Sequence, residues 1–472
     1  MQRGRFFSAI ACGAVAIALS ACVEAPPIAL DPEARAARLE ARSLTDPDVN
    51  AALNKAGLGA GTNWTLDRLT AAAWSLRPDF ARAAADVLAA DAAEHAAGQL
   101  QNPTFSFDPQ YLYDNASGNI SPWTLAASLG FTIETGGKRG IRVAQSRAET
   151  DVRRWQLAEA AWKMRQDIRK ALTARLVAQS ALTLTRREAM LRQSFSIWVE
   201  NALRFGAVGQ PERLSAVTTL AQAQTAARTA TGDAAAADAT LALAVGVTTR
   251  NFPFTSLAPL ETEALPEPEM LDMPTLRAAA LTNRLSLRRA LAEYHVTEQA
   301  LRMEVAKQYP DVSFGPGYVY DKGDRGVTLT LGFTLPLFHG ARAVIDQALA
   351  ARAKAAVQFN LEQSQALNEI ETGSVRYAAA YAAWIEAKNA EAASRKAAEA
   401  ADNRLAMGSA DRSEVLTASL AQVAVERATL NALRAALEAL GTIEDSVQRP
   451  VWPISALTLP RPDLQQTALN RN

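Results

Sequence analysis

The chain has 472 residues, with 49 basic and 49 acidic side chains and a charged fraction of 21%; that is length enough for two or three ordinary domains, but no basic surplus with which to grip phosphate backbones. Nucleic acid is therefore excluded as a partner. Three histidines and two cysteines, with no His-Glu-x-x-His pair and no nucleophile-elbow glycine–serine pattern, leave no constellation for metal-assisted or nucleophilic catalysis, so neither an enzyme nor a cofactor is expected.

In chain order, the first residues read as an export signal. Arg3 and Arg5 precede an apolar run from Phe6 to Leu19 that is too short to span a bilayer comfortably. Leu19-Ser20-Ala21-Cys22 resembles a bacterial lipobox, which makes Cys22 the expected lipid attachment point once residues 1–21 are removed. Cys12 lies within the removed segment, so a mature chain with Cys22 alone excludes disulfides and cysteine-based metal sites. Val23 rather than aspartate follows, which points to outer-membrane sorting.

Two alternating segments come next. In Thr104–Tyr113 the odd positions are Phe105, Phe107, Pro109, Tyr111 and Tyr113, opposed by Thr104, Ser106, Asp108 and Gln110; Trp123–Glu134 alternates in the same way. Each is about 9–12 residues, the length of a tilted strand crossing a bilayer, with one apolar face and one small or polar face suited to a water-filled lumen. Tyr111, Tyr113 and Trp123 near the strand ends suit an interfacial girdle, and the loop Asp114–Ser121 carries turn residues. A soluble sheet packed on helices would show the same alternation.

From Lys138 to Arg204 there is no proline and a surplus of strong helix formers. Leu157, Ala161, Met164 and Ile168 step at heptad spacing along it. A turn at Arg204–Gly209 leads to a returning helix over Leu214–Val245. Gly136-Gly137-Lys138-Arg139 is not a phosphate loop, because position 132 is Thr and position 139 is Arg; its glycines suit a sharp change of direction, and Lys138, Arg139 and Arg142 are placed to meet lipid phosphates.

The second half repeats this plan. Gln101-Asn102-Pro103 and Ser106 reappear as Gln308-Tyr309-Pro310 and Ser313, 207 residues on (101 to 308), and Leu129-Gly130-Phe131-Thr132 reappears as Leu331-Gly332-Phe333-Thr334, 202 on (129 to 331). Leu220-Ala221-Gln222 matches Leu420-Ala421-Gln422. The spacing predicts two structural units in tandem, with alternating strands over Val312–Tyr320 and Val327–Leu337, a turn over Asp321–Arg325, a long helix Arg342–Arg404 and a return Ser413–Val447. Along that long helix Leu367, Ile370, Ser374, Tyr377, Tyr381 and Trp384 form a heptad seam, so Trp155, Trp162, Tyr377 and Trp384 are read as packing residues. The expected layout is 1–21 signal, 22–62 lipidated linker, 63–247 first repeat, 248–271 Pro-rich linker, 272–447 second repeat and 448–472 tail. Four strands cannot close a membrane barrel and an open edge in lipid is costly, so several copies must combine; eight strands from two or twelve from three both satisfy this.

Trp64-Thr65-Leu66 with Arg77-Pro78-Asp79-Phe80, the strand openers at Gln101 and Gln308, Leu335-Pro336-Leu337-Phe338 and the tip runs Arg204–Gln222 and Arg404–Gln422 resemble, in that order, the TolC-type outer-membrane efflux family. The resemblance implies a mainly α-helical fold with a pair of membrane β-hairpins: a homotrimer whose twelve-stranded β-barrel continues into a long α-helical barrel, lipid-anchored in the outer membrane and extending into the periplasm. It implies a passive exit duct for drugs or metal ions, working with a periplasmic adaptor (membrane fusion) protein and an inner-membrane pump of RND type. The adaptor-contacting tips would include Arg204, Gly206, Gly209, Arg404 and Gly408. Glu414 falls where relatives carry a pore-facing acid, a ring of carboxylates at the constriction, whereas Ser215 takes the corresponding place in the first tip; Arg404, Asp411 and Arg412 are placed to hold the tips shut. Phe131–Arg139 looks like the heavy-metal branch, while His339-Gly340-Ala341-Arg342 departs from it. Two alternatives stay open: an exit duct for type I protein secretion, and a non-conducting periplasmic coiled-coil lipoprotein.

Overall fold

The computed structural model describes residues 25, 27–59, 61–113, 120–258, 265–334 and 341–452; the lipobox with Cys22, the Leu335–Phe338 motif and His339 lie outside them. The chain divides into two compact units, Met1–Arg42 and Ser43–Asn472. The first contributes helix α1 (Pro32–Ala41), whose N-terminal amides of Glu33 and Ala34 donate to the Asp31 carboxylate.

The second unit opens with α2 (Pro47–Lys55), α3 (Leu66–Leu76) and α4 (Pro78–Ala97), followed by β1 (Thr104–Tyr111), β2 (Trp123–Ile133), α5 (Lys138–Arg204) and α6 (Gln210–Val245). After short 3₁₀ turns come α7 (Met273–Thr282), α8 (Leu285–Ala306), β3 (Val312–Asp321), β4 (Asp324–Phe333), α9 (Arg342–Ala406) and α10 (Arg412–Val447). The order two short helices, hairpin, long helix, returning helix is thus found twice. At 67 and 65 residues, α5 and α9 each run about 100 Å.

The helical seams lie where the heptad spacing puts them. Trp155, Trp162, Tyr377 and Trp384 are all buried, and the Tyr377 hydroxyl donates to the Pro266 carbonyl at 2.5 Å. Ile370, Tyr377 and Trp384 join Leu437, Leu440 and Ile443 of α10 in one apolar cluster, while Ile168 and Leu172 of α5 pack on Leu69, Leu76 and Val245 in another.

The four strands form one sheet in the order β1-β2-β3-β4, every pair antiparallel. The strand limits differ from the sequence expectation at the second hairpin. Lys322 and Gly323 both have positive φ, 51° and 123°, as a two-residue type I′ turn requires; Asp321 therefore pairs directly with Asp324, and β4 starts three residues before Val327. The expected ends at Leu335 and Leu337 lie outside the described residues. In the first hairpin, pairing stops at Tyr111 rather than Tyr113.

At the junction from β2 to α5, Gly136 and Gly137 both adopt left-handed φ, 64° and 70°, giving the sharp bend that side chains would resist. Here one expectation is corrected. Lys138 does not face lipid phosphates: it is buried, with Nζ 2.8 Å from Asp311 Oδ1 and 2.7 Å from the Tyr309 carbonyl. Arg142 grips Glu134 through two nitrogens at 2.5 and 3.1 Å and donates to the Ala97 carbonyl, while Arg139 donates to Gly98. The basic cluster is spent on capping α4 and on joining the two hairpins, because the returning strand brings Asp311 to it. The hydrogen bond from Lys138 and the amide of Thr135 hold the Asp311 carboxyl below the usual aspartate range. That stabilisation is complete above the ordinary aspartate pKa near about 4 and lost as pH falls through the lowered value. Replacing Lys138 with methionine is expected to cost about 1–3 kcal/mol, read as a lower melting temperature in detergent.

Candidate functional site

The register of the sheet sorts its side chains into two faces. Phe105 stands opposite Leu129, Phe107 opposite Ala127, Phe131 opposite Phe314, and Phe314 opposite Leu331, so the apolar positions of all four strands share one side. The stacked rings of Phe131 and Phe314 are 5.1 Å apart. On the other side the register sets Thr104 against Gly130, Ser128 against Gly317, Gly317 against Thr328 and Ser313 against Gly332. These glycines leave room: a Cβ at Gly332 would come within 2.8 Å of the Ser313 hydroxyl.

Among the described residues, much of the apolar face is left uncovered in a single chain. Val327, Leu329, Leu331 and Phe333 on β4, and Phe105 and Phe107 on β1, are well exposed, up to 86% at Val327. Such a patch on a soluble protein would drive association. Among the described residues, β1 and β4 each pair on one side only, so the sheet ends in two edges with unpaired backbone groups. Among the described residues, no helix is long and apolar enough to cross a membrane.

At the far ends of the long helices sit two αα-hairpin tips. In the first, Arg204 closes α5 and is exposed, and Gly206 turns the chain at φ 70°. Its amide donates to the Leu203 carbonyl, and that of Ala207 to Ala202. Gly209 opens α6, its amide donating to the Glu212 carboxylate at 3.0 Å. The second tip matches: Gly408 at φ 74°, with its amide donating to Leu405 and that of Ser409 to Arg404. Nothing lies within 4 Å of a Cβ built on Gly206 or Gly408, so each glycine serves backbone conformation alone. Gly408→Val is expected to cost about 1–2 kcal/mol, confined to the tip, and to appear as faster proteolytic nicking near residue 408 with little change in global melting.

The structure brings Arg404 and Glu414 together as an ion pair across the second tip. Asp411 is the helix cap: its carboxylate accepts from the Ser413 hydroxyl and from the amides of Ser413 and Glu414, which holds its pKa below the usual range. The first tip carries a pair the sequence reading did not single out, Glu200 with Arg213 at 2.8 Å; the two lie 13 residues apart around the turn, a spacing no local motif flags. Ser215 carries no charge there. The two hairpins are joined to each other higher up, by Arg187 to Glu426 at 3.0 Å and Arg427 to Glu188 at 2.5 Å, a reciprocal clasp between α5 and α10.

Residues 276–447 match the model of the outer membrane efflux protein family. No curated protein matches the sequence. Among solved structures, the outer membrane protein VceC of Vibrio cholerae is similar over 81% of this chain and 96% of its own, with a TM-score of 0.64 and 18% identity. The outer-membrane channel OprN matches over 90% of this chain and 99% of its own at TM-score 0.68 and 16% identity, and the CmeC outer membrane channel of Campylobacter jejuni over 90% and 94% at 0.66 and 13%. At such identities the likeness is one of fold. Residues 276–447 thus carry a likeness to the outer membrane efflux protein family, and the fold shared with these outer-membrane proteins extends over 81–90% of the chain.

Proposed function

We propose that the protein is the outer-membrane exit duct of a tripartite efflux system, passively conducting substrates delivered by an inner-membrane pump of RND type through a periplasmic adaptor. The observation that carries this reading is the sheet of described strands: one face apolar and largely uncovered, the other small and hydroxylated, with two open edges. In lipid each unpaired backbone group costs several kcal/mol, and pairing β4 of one copy with β1 of the next removes both edges. Three copies give a twelve-stranded barrel, and α5, α6, α9 and α10 of each continue it as a helical tunnel of about 100 Å, the depth of a periplasm.

Acylation of Cys22 adds a second hold on the outer membrane, at about 0.8 kcal/mol per buried CH₂. The tips at Arg204, Gly206, Gly209, Arg404 and Gly408 meet the adaptor. Under threefold symmetry Glu414 forms a ring at the constriction once Arg404 releases it, favouring cations there; Glu414→Gln is expected to reduce cation over anion preference severalfold, read as a shift in reversal potential. The cargo is an organic drug or a divalent metal ion. Deleting the gene and measuring retention of both classes of compound tests the reading. Retention of one class, reversed by the intact gene, is expected; unchanged retention of both would refute it.

A further inference from the structure

Charge in the sheet is sorted by face. The four strands carry four charged side chains: Asp108 on β1, Asp321 on β3, and Asp324 and Arg325 on β4. The register puts the three acids on the small, hydroxylated side, where Asp108 pairs with Ala126 of β2, and Asp321 with both Thr124 and Asp324. Arg325 instead pairs with Tyr320, which pairs in turn with Leu125, so it continues the row of Val327, Leu329, Leu331 and Phe333. Within the described strands it is the one charged residue on the apolar side.

Its height on the sheet matters as much as its face. α4, α5, α8 and α9 all adjoin the strand ends at Thr104, Ile133, Val312 and Phe333, whereas Arg325 is the second residue of β4, at the opposite end. It stands about 7 Å beyond Val327 along the strand. Tyr320 is its direct partner, and the next row outward holds Tyr111 and Trp123, paired with each other and with rings 4.9 Å apart. Lys322 lies beside that row, its amide donating to the Trp123 carbonyl. Both cations are exposed, and among the described residues neither forms an ion pair.

An arginine on a lipid-facing row is costly at the midplane and nearly free at the interface, the height that tyrosine and tryptophan mark. A cation there has hydrocarbon on one side and gains most from an anion held at its own level. The anion a membrane supplies at that level is the phosphate of a lipid headgroup. We infer that Arg325 and Lys322 bind an anionic phosphate on a lipid headgroup of the leaflet away from the helices, with Tyr320 and Trp123 against the apolar part of the same lipid. The planar guanidinium of Arg325 matches two phosphate oxygens, and Lys322 adds a point charge. The helical end of the sheet has no such cations to spare, since Lys138, Arg139 and Arg142 are spent on Asp311, the Gly98 carbonyl and Glu134. This inference rests on the duct reading for which face meets lipid, but it assigns a lipid chemistry that conduction does not require.

Native mass spectrometry of the full chain in detergent tests it, with lipid A as a diphosphorylated glycolipid and galactosyldiacylglycerol as a glycolipid without phosphate. The intact protein is expected to retain severalfold more lipid A than galactolipid per chain. Arg325→Gln combined with Lys322→Asn, asparagine being at ease with the positive φ of 51° at 322, is expected to bring the two lipids to the same low level. Equal retention of lipid A by the intact protein and the double variant would overturn the inference. So would displacement of lipid A by inorganic phosphate alone, which would make this a site for free anions. Conductance steps in a planar bilayer from both proteins would leave the duct reading standing in either case, whereas an intact protein that never conducts would remove that reading and this inference with it.

Discussion

Arginine in place of Leu329 is expected to abolish assembly in the outer membrane, whereas arginine at the adjacent Thr330 leaves assembly intact and turns the pore towards anions. The two residues are neighbours on β4 and differ only in the face they occupy. Leu329 is 66% exposed and pairs with Pro316 on the apolar side, while Thr330 pairs with Gly315 on the other. In a barrel the first side meets hydrocarbon, where an arginine near the midplane costs about 2–4 kcal/mol per copy; over a three-copy ring that sums to about 6–12 kcal/mol, comparable to the whole margin of a folded protein. On the lumen side a long cation has water and, at Gly315, no opposing side chain. Outer-membrane fractionation reads the first effect, and reversal potential under a salt gradient the second. Equal loss of both variants from the membrane would mean that the faces are not lipid and lumen.

The second large effect is expected at Glu444, one of the most deeply buried acids of the chain at 1% exposure. One of its oxygens accepts from the amides of Val451 and Trp452 at 2.9 and 3.0 Å, and the other lies 3.5 Å from Arg169 of α5. It thereby fastens the chain beyond α10 onto the cluster around Tyr377, after Gln448 has turned it back with a positive φ of 49°. Glu444→Ala strands two amides and removes one of the acids that neutralise Arg169, a cost of about 3 kcal/mol. Glu444→Gln keeps acceptors for the amides and is expected to cost less than half as much. Thermal unfolding in detergent separates the two variants, and cleavage near Trp452 should rise with alanine only. Equal melting of both would place the effect in the charge rather than in the amide contacts.

Much of the fold is legible in the residues because it rests on local periodicity. The long helix Lys138–Arg204 has the same limits in sequence and structure, since no proline interrupts it and Gly206 turns the chain just past its end. The two faces of each strand follow from alternation. What alternation does not carry is register. Where β4 starts depends on the two-residue turn at Lys322-Gly323, and which faces coincide depends on β2 finding β3 across nearly two hundred residues of helix. Contacts of that range are also where the site reading fell short. Lys138 looked like a membrane-surface cation until Asp311 was brought to it from the second half, and the Arg187–Glu426 and Arg427–Glu188 clasp joins residues 239 apart. At the second tip, residue type and place singled out Arg404 and Glu414, but only the hairpin geometry pairs them. The first tip's Glu200–Arg213 pair had no such prompt.

Joining of sheet edges from several copies into one sealed cylinder is tested most directly by adding the purified full-length protein to a planar lipid bilayer and recording current at fixed voltage. Discrete, long-lived conductance steps of one size class are expected. Protein that binds the lipid but leaves the bilayer electrically silent at every voltage would contradict it.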